Sequence, residues 1–286
     1  MRLILSLFRI QMNNKTTSKI YPLESPSEYL RLEIQNSFPQ YSIEMELSDQ
    51  EIKYNKGAHI LDAGCGSGTV TKKILNANKN EKIKITAADI SESNIEQMKL
   101  SLTPSDQAKV NFLYEDVRSL ASIESETVDA YYSRFVFEYH PIDGQKIADA
   151  AFRVLKSGAT ATIIDADNVF LGLKTDNAKL MGELAELRQN ITTYTDDICL
   201  HIPRFLHNAG FISIELKPIP VIFFSQKEKN FEAEMYNKRF QQMRPTFLDF
   251  WSSSRIDKMI DMYLSEVVKP TTLMRYEKMV FKAIKP

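Results

Sequence analysis

The chain has 286 residues, with 36 Lys+Arg against 37 Asp+Glu, 43% hydrophobic residues, 10% aromatic residues, 9 Gly and 2 Cys. That apolar mass excludes collagen-like, disordered and disulfide-built classes, and the length suits two small domains or one α/β domain carrying an insertion. A formal charge of -1 leaves no overall field to gather a polyanion, so a nucleic-acid partner is not expected.

The first residues, from Met1 to Arg9, hold an apolar run of only six residues, Leu3 to Phe8. This is shorter than the roughly 7–15 residues of a signal peptide and far below a membrane span, and Met12 offers a second initiation point. No other window reaches membrane length. Two cysteines as distant as Cys65 and Cys199 cannot form a framework, so the reducing cytoplasm is the expected compartment.

Ser27 to Gln35 places Leu30, Ile34 and Phe38 on one stripe behind a Ser cap and Pro26, which predicts a helix. From His59 onward, short apolar runs ending in polar residues or glycine alternate with helical periods. Strands are predicted at His59–Asp62, Ile83–Asp89, Val110–Glu115, Val128–Ser133, Ala159–Asp165, Ser213–Pro218 and Met274–Ile284. Helices are predicted at Thr69–Asn76, Asn94–Ser101, Asp143–Leu155, Leu173–Gln189 and Ile202–Ala209. Between Ser225 and Lys269 lies a helical stretch rich in Met and aromatic residues, Trp251 among them. It reads either as a layer packed on the sheet edge or as a lid lining an apolar pocket, because such side chains adapt to flat hydrophobic ligands.

These elements predict an α/β architecture: a Rossmann-like, doubly wound, mostly parallel sheet of seven strands, with an N-terminal helical cap and a helical insertion before the last strand. Residues 1–56 form the N-terminal segment and cap, 57–218 the core, and 219–286 the insertion with the final strand. From Lys227 to Pro286 there are 12 Lys+Arg and 8 Asp+Glu, a local +4, which fits a solvated helical surface.

The most informative stretch is His59-Ile-Leu-Asp-Ala-Gly-Cys-Gly-Ser-Gly-Thr69. A strand ending at Asp62 and followed by Gly64, Gly66 and Gly68 makes a bare turn against which a ligand can lie, at the carboxyl edge of a sheet. A dinucleotide fingerprint would place its third glycine at position 69, which is Thr69 here. A Walker loop is excluded because no Lys-Ser/Thr pair closes the motif. Asp89 ends the next strand 21 residues beyond Gly68, where a carboxylate can accept both hydroxyls of a ribose or simply cap the following helix. A third strand leads into Asp116 and Val117. Asp116 is placed to receive an adenine amino group or to close a strand-end turn.

Leu61 to Gly68, then Asp89, Asp116, the Val128–Glu138 segment and Arg153 to Ala159 resemble class I S-adenosylmethionine-dependent methyltransferases, in order, over residues 57–170. Tyr21 to Gln35 and Asp196 to Phe211 are similar to a bacterial small-molecule subgroup that includes quinone-biosynthesis types. The resemblance implies S-adenosyl-L-methionine as cofactor. Gly64, Cys65, Gly66 and Gly68 would bound its methionine portion, and Asp62 would support its ammonium. Asp89 would hold the ribose, Ile90 one adenine face, and Asp116 and Val117 the adenine edge, with Ser133 facing the sulfonium. Tyr21, Arg31 and Gln35 would come from the cap, Arg31 and Gln35 reaching the methionine carboxylate. The usual His after the fourth strand is displaced: Tyr139 falls at its position and His140 follows.

Methyl transfer from a sulfonium is a direct displacement on an already activated leaving group, so alignment in a dry site carries much of the catalysis. A base helps where the acceptor must lose a proton, and Glu138, Tyr139, His140 and Asp165 are the candidates. No metal is required, and His201 and His207 fall on different helical faces. The expected acceptor is a small apolar molecule, aromatic and quinone-like ones included, methylated at O, N or C. RNA or protein modification, and cofactor binding without turnover, are the alternatives. The sequence leaves the oligomeric state open.

Overall fold

The computed structural model describes residues 28–191, 194–195 and 197–286. Tyr21, Ser27 and the N-terminal apolar run lie outside the described residues.

Five strands, β1 (His59–Ala63), β2 (Lys84–Asp89), β3 (Val110–Tyr114), β4 (Val128–Arg134) and β5 (Leu155–Asp167), form a parallel block in the order β3-β2-β1-β4-β5. β1 and β2 in its middle are buried almost end to end, as a strand must be when helices cover both faces. Because the five strands run parallel, the loops that follow them share one edge.

Helix α1 (Glu28–Asn36) precedes β1. Helices α2 (Thr69–Ala77), α3 (Glu92–Ser101), α4 (Pro104–Gln107) and α5 (Gly144–Val154) connect the parallel strands. Ser91 caps α3 and Thr103 caps α4, each accepting from a backbone N–H in the first turn, which satisfies donors the helix itself leaves free.

The expectation of seven strands needs correction, because among the described residues the sheet has eight and three of its pairings are antiparallel. The two-residue β6 (Leu173–Lys174), β7 (Ile212–Phe223) and β5 all pair antiparallel with β8 (Leu273–Ile284). β6 falls where a helix from Leu173 to Gln189 is predicted; α6 instead spans Ala178–Asn190, with the Asn177 side chain accepting from Leu180 N. Leu173 sits in register with Met274 of β8, so its apolar side chain is claimed by the sheet rather than by the helical stripe. Likewise β7 continues to Phe223, past the predicted end at Pro218.

After α7 (Ile202–Ala209) and β7, the chain forms α8 (Gln226–Phe247) and α9 (Ser253–Val267) before closing the sheet with β8. Ser225 and Glu228 make a reciprocal capping box at the start of α8, the arrangement expected of Ser-x-x-Glu ahead of a helix. Helices α6, α8 and α9 bury a separate aromatic core containing Tyr236, Phe240, Phe247, Trp251 and Tyr263. Trp251 belongs to this core: its Nε1 donates to Glu186 Oε1 at 2.8 Å, and Arg255 lies 4.3 Å over its ring. Among the described residues no helix is long and apolar enough to cross a membrane.

Candidate active site

The strand-end edge opens into a cavity of about 130 Å³ roofed by α1 and α8. Its floor begins where β1 turns into α2. Gly64 has φ 74°, and a Cβ there would stand 2.3 Å from Val136 Cγ2. Any side chain would meet both a disfavoured backbone and an occupied space. Gly68, by contrast, lies off the cavity wall. It caps α2 with φ 80° and sits so close to Met98 that a Cβ would be 2.2 Å from the sulfur. Its requirement is helix packing, and Gly66 forms the wall.

Two carboxylates brace this loop. Asp62 Oδ2 accepts from Thr71 N at 3.0 Å and Thr71 Oγ1 at 2.6 Å, and burial pushes its carboxyl up to about 6. Asp89 Oδ2 accepts from Gly66 N at 2.8 Å while Oδ1 accepts from Ser91 N at 2.8 Å. Asp89 therefore fixes the glycine loop and starts α3 with the same side chain, and it also faces the cavity. Cys65 and Ile90 line the wall beside it, and burial pushes the Cys65 thiol well up.

Val117 reaches the cavity, but Asp116 does not. Both Asp116 oxygens accept from Arg118, one at 2.6 Å and the others at about 3.0 Å. Ser133 is 1% exposed and likewise stays behind the wall. Just beyond it, Phe135 adopts φ 56° and donates to Ile164 O at 2.8 Å. A non-glycine residue at positive φ stores backbone strain, and here the strained residue is itself part of the cavity wall.

The helical turn that follows, Phe137–Tyr139, presents Glu138 and Tyr139 to the cavity, with His140 at its end. Asp165 holds that turn: Oδ2 accepts from Phe137 N at 2.9 Å, and the carboxylate is wholly buried. Burial pushes Glu138 up to about 7, the Arg239 guanidinium and the Tyr139 hydroxyl opposing a further rise. Asp165 is pushed well above the carboxylate range by burial and then by the charge of Glu138. Burial and then Arg118 hold the His140 imidazole below its usual value.

The roof is polar where α1 meets α8. Arg31 forms a paired contact to Glu28, with Nη2 to Oε1 at 2.7 Å and Nε to Oε2 at 2.8 Å, and its Nη1 donates to Gln35 Oε1 at 2.6 Å. Arg239 Nη2 donates to the same Gln35 oxygen at 3.2 Å. Sequence reasoning anticipated Arg31 and Gln35 in this region but missed Arg239, Arg134, Tyr41, Tyr276 and Phe170, all cavity-lining. No motif marks them. They come from five separate parts of the chain, and only packing unites them.

A family model described as a methyltransferase domain matches residues 60–158. The chain is 37% identical over 106 residues to the tRNA N(3)-methylcytidine methyltransferase trm140 of Schizosaccharomyces pombe, covering 35% of this chain and 33% of that protein. It is 27% identical over 165 residues to the O-methyltransferase rstn1 of Aspergillus nomiae, covering 57% of this chain and 68% of that one. The structure of Haemonchus contortus phosphoethanolamine N-methyltransferase 2 with S-adenosyl-L-methionine superimposes with a TM-score of 0.51 at 21% identity, over 90% of this chain and 52% of that one. The chain thus spans only a third of the yeast relative and about half of the nematode enzyme, and the last likeness is one of fold.

Proposed function

We propose that this protein is an S-adenosylmethionine-dependent methyltransferase acting on a small, largely apolar acceptor. One observation carries the reading: the bare loop at Gly64 and Gly66 opens, together with Asp62 and Asp89, into one cavity that continues to Glu138 and an aromatic wall.

The residues fit the cofactor. Main chain without side chains at Gly64 and Gly66 would bound the methionine portion, with Cys65 beside it and Asp62 toward the ammonium. Asp89 keeps acceptor capacity on both oxygens for a ribose diol, and Ile90 and Val117 offer apolar surface to a purine. Asp116, Gly68 and Ser133 stay behind the wall, so their contribution is to hold the loops that carry Val117, Gly66 and the Phe135 turn. When bound, S-adenosylmethionine supplies a methyl group on a sulfonium, and it leaves as the neutral thioether after the methyl–sulfur bond breaks.

Glu138 is the residue placed to receive the proton that an O–H or N–H acceptor gives up as the new bond to carbon forms. Burial raises this carboxyl to about 7, toward the neutral range in which a general base transfers protons most effectively. Tyr139 orients it and His140 lies at the margin. Asp165, held by backbone N–H groups, positions the turn. Phe170, Tyr139 and Tyr194 give the acceptor end an aromatic lining that excludes water. A metal is not invoked, and a cytoplasmic location is in keeping with this reading.

The 37% identity to a tRNA methyltransferase over 106 residues favours a second reading, RNA modification. Tritiated methyl transfer from S-adenosylmethionine into separated small-molecule, RNA and protein fractions distinguishes the two. Label in the small-molecule fraction supports our proposal, and label confined to RNA replaces it. Retention of S-adenosylhomocysteine with no label in any fraction points to a binding module.

A further inference from the structure

Arg239 stands out among the cavity residues for how little it is paired. It projects from α8, and its Nη1 is buried with no hydrogen-bond partner among the described residues. Among the described residues its Nη2 donates only to the neutral oxygen of Gln35, which it shares with Arg31. Among the described residues it forms no salt bridge. Two guanidinium groups therefore converge on one uncharged amide oxygen. A buried cation with no directly bonded anion is costly, and an arginine in that state has a fork suited to a planar carboxylate.

Glu138 and Glu232 both feel its charge, but among the described residues neither forms a salt bridge with it. Glu232 lies two helical turns before Arg239 on the same face. It directs Oε1 to the Tyr41 hydroxyl at 2.7 Å and leaves Oε2 buried without a hydrogen bond among the described residues. Burial pushes Glu232 up to about 7, so much of its population is neutral at physiological pH. Tyr276 completes this chain by donating to the Tyr41 hydroxyl at 2.6 Å.

Arg239 meets the cap at Gln35, which Arg31 shares, but its remaining contacts lie toward the aromatic end. Arg31 belongs to α1, which rests on the glycine loop: a Cβ on Gly66 would meet Leu32 Cδ1, and Asn36 donates to Ser67 and Thr69. Arg239 instead lies 5.5 Å over the Tyr236 ring, and Tyr236 packs against Phe170, a wall of the cavity.

Resting on the methyltransferase reading, we infer that Arg239 anchors a carboxylate on the methyl acceptor, making the substrate class a small aromatic or alkyl carboxylic acid methylated at another atom. The insertion between β7 and β8 is then the specificity element. Its helix α8 contributes both the anchor and, one turn later, the apolar Met243.

The test is calorimetric titration of benzoate, with benzamide as its uncharged counterpart, into the full chain saturated with S-adenosylhomocysteine. The expected result is benzoate binding about tenfold or more tighter than benzamide, lost in Arg239→Gln and partly kept in Arg239→Lys, with S-adenosylhomocysteine affinity unchanged in both variants. Circular dichroism checks that each variant is folded, and the Lys variant carries the test if the Gln variant is not. Three results overturn the inference: equal binding of benzoate and benzamide, no benzoate binding, or a tenfold loss of S-adenosylhomocysteine affinity in Arg239→Lys, which would assign the arginine to the donor's own carboxylate. Failure of the wild-type chain to bind S-adenosylhomocysteine would instead reject the methyltransferase reading on which the anchor rests.

Discussion

Arg134, the last residue of β4, grips Glu46 with two hydrogen bonds, Nε to Oε2 at 2.6 Å and Nη2 to Oε1 at 3.0 Å. The same guanidinium donates to Asn36 Oδ1 and Tyr41 O, and Lys278 of β8 reaches Glu46 from the other side at 0% exposure. One buried carboxylate thus ties the segment after α1 to two strands of the sheet, and Arg134 is at the same time a wall of the cavity. The roof over the site is anchored by charge.

Removing Glu46 would strand two buried cations. Glu46→Gln is expected to cost about 3–5 kcal/mol of stability at neutral pH, the range for breaking one partner of a buried pair, measured as a shift in urea midpoint. Burial alone would raise the Glu46 carboxyl, but Arg134 and Lys278 outweigh it and hold it below the usual range. Its contribution is therefore complete above the unfolded carboxyl value and disappears as pH falls through the lower folded one. The gap between wild type and Glu46→Gln should narrow in acid; a gap independent of pH would refute this coupling.

Glu138 has the opposite sign. Its folded value is near 7, above the roughly 4.3 of an unfolded glutamate. The native state keeps a proton that the unfolded chain releases in that window, so this group's contribution to stability falls as pH rises from about 4 to 7. Methyl transfer to an acceptor that loses a proton should rise with pH through the same upper limit. Glu138→Gln should abolish that rise and lower kcat by about 100-fold or more. A pH–rate profile of the variant that keeps the wild-type limb would remove Glu138 from the role.

Asp89→Ala should weaken S-adenosylhomocysteine binding by about 1–3 kcal/mol, through lost ribose contacts and a loosened Gly66 N–H. Titration calorimetry reads this directly. Unaltered affinity would leave Asp89 as a brace for the loop and nothing more.

For Gly64→Ala, two costs are separable. Steric conflict with Val136 Cγ2 at 2.3 Å should be relieved by Val136→Ala, whereas the positive φ costs about 1 kcal/mol whatever its neighbour. The double variant is expected to recover part of the donor affinity lost in the single one. No recovery would mean that the Cβ obstructs the ligand itself.

Trp251 separates core from pocket. An insertion lid predicted from sequence made it a candidate acceptor contact, but its ring lies in the helical core and its Nε1 is held by Glu186. Trp251→Ala is expected to destabilise the chain by about 3–5 kcal/mol, visible in denaturant melts. A raised acceptor KM at unchanged stability would return Trp251 to the pocket.

The sequence by itself determined the glycine turn and the alternation that builds a parallel sheet. Those signals are local: a strand, a bare turn and a helix start lie within a dozen residues, and backbone sterics specify them without help. It also placed Asp62, Asp89 and the Glu138 turn at successive strand ends, and these converge because parallel strands end on one edge. Only the tertiary structure decided which side chains face inward. Asp89 ends β2 and Asp116 lies two residues past the end of the neighbouring β3, yet Arg118 draws Asp116 aside while Asp89 turns toward Gly66. Only folding, too, joined Arg239 of α8 to Gln35 of α1 across 204 positions. Such a pairing has no periodicity to betray it, because it depends on how two amphipathic helices pack over the same edge.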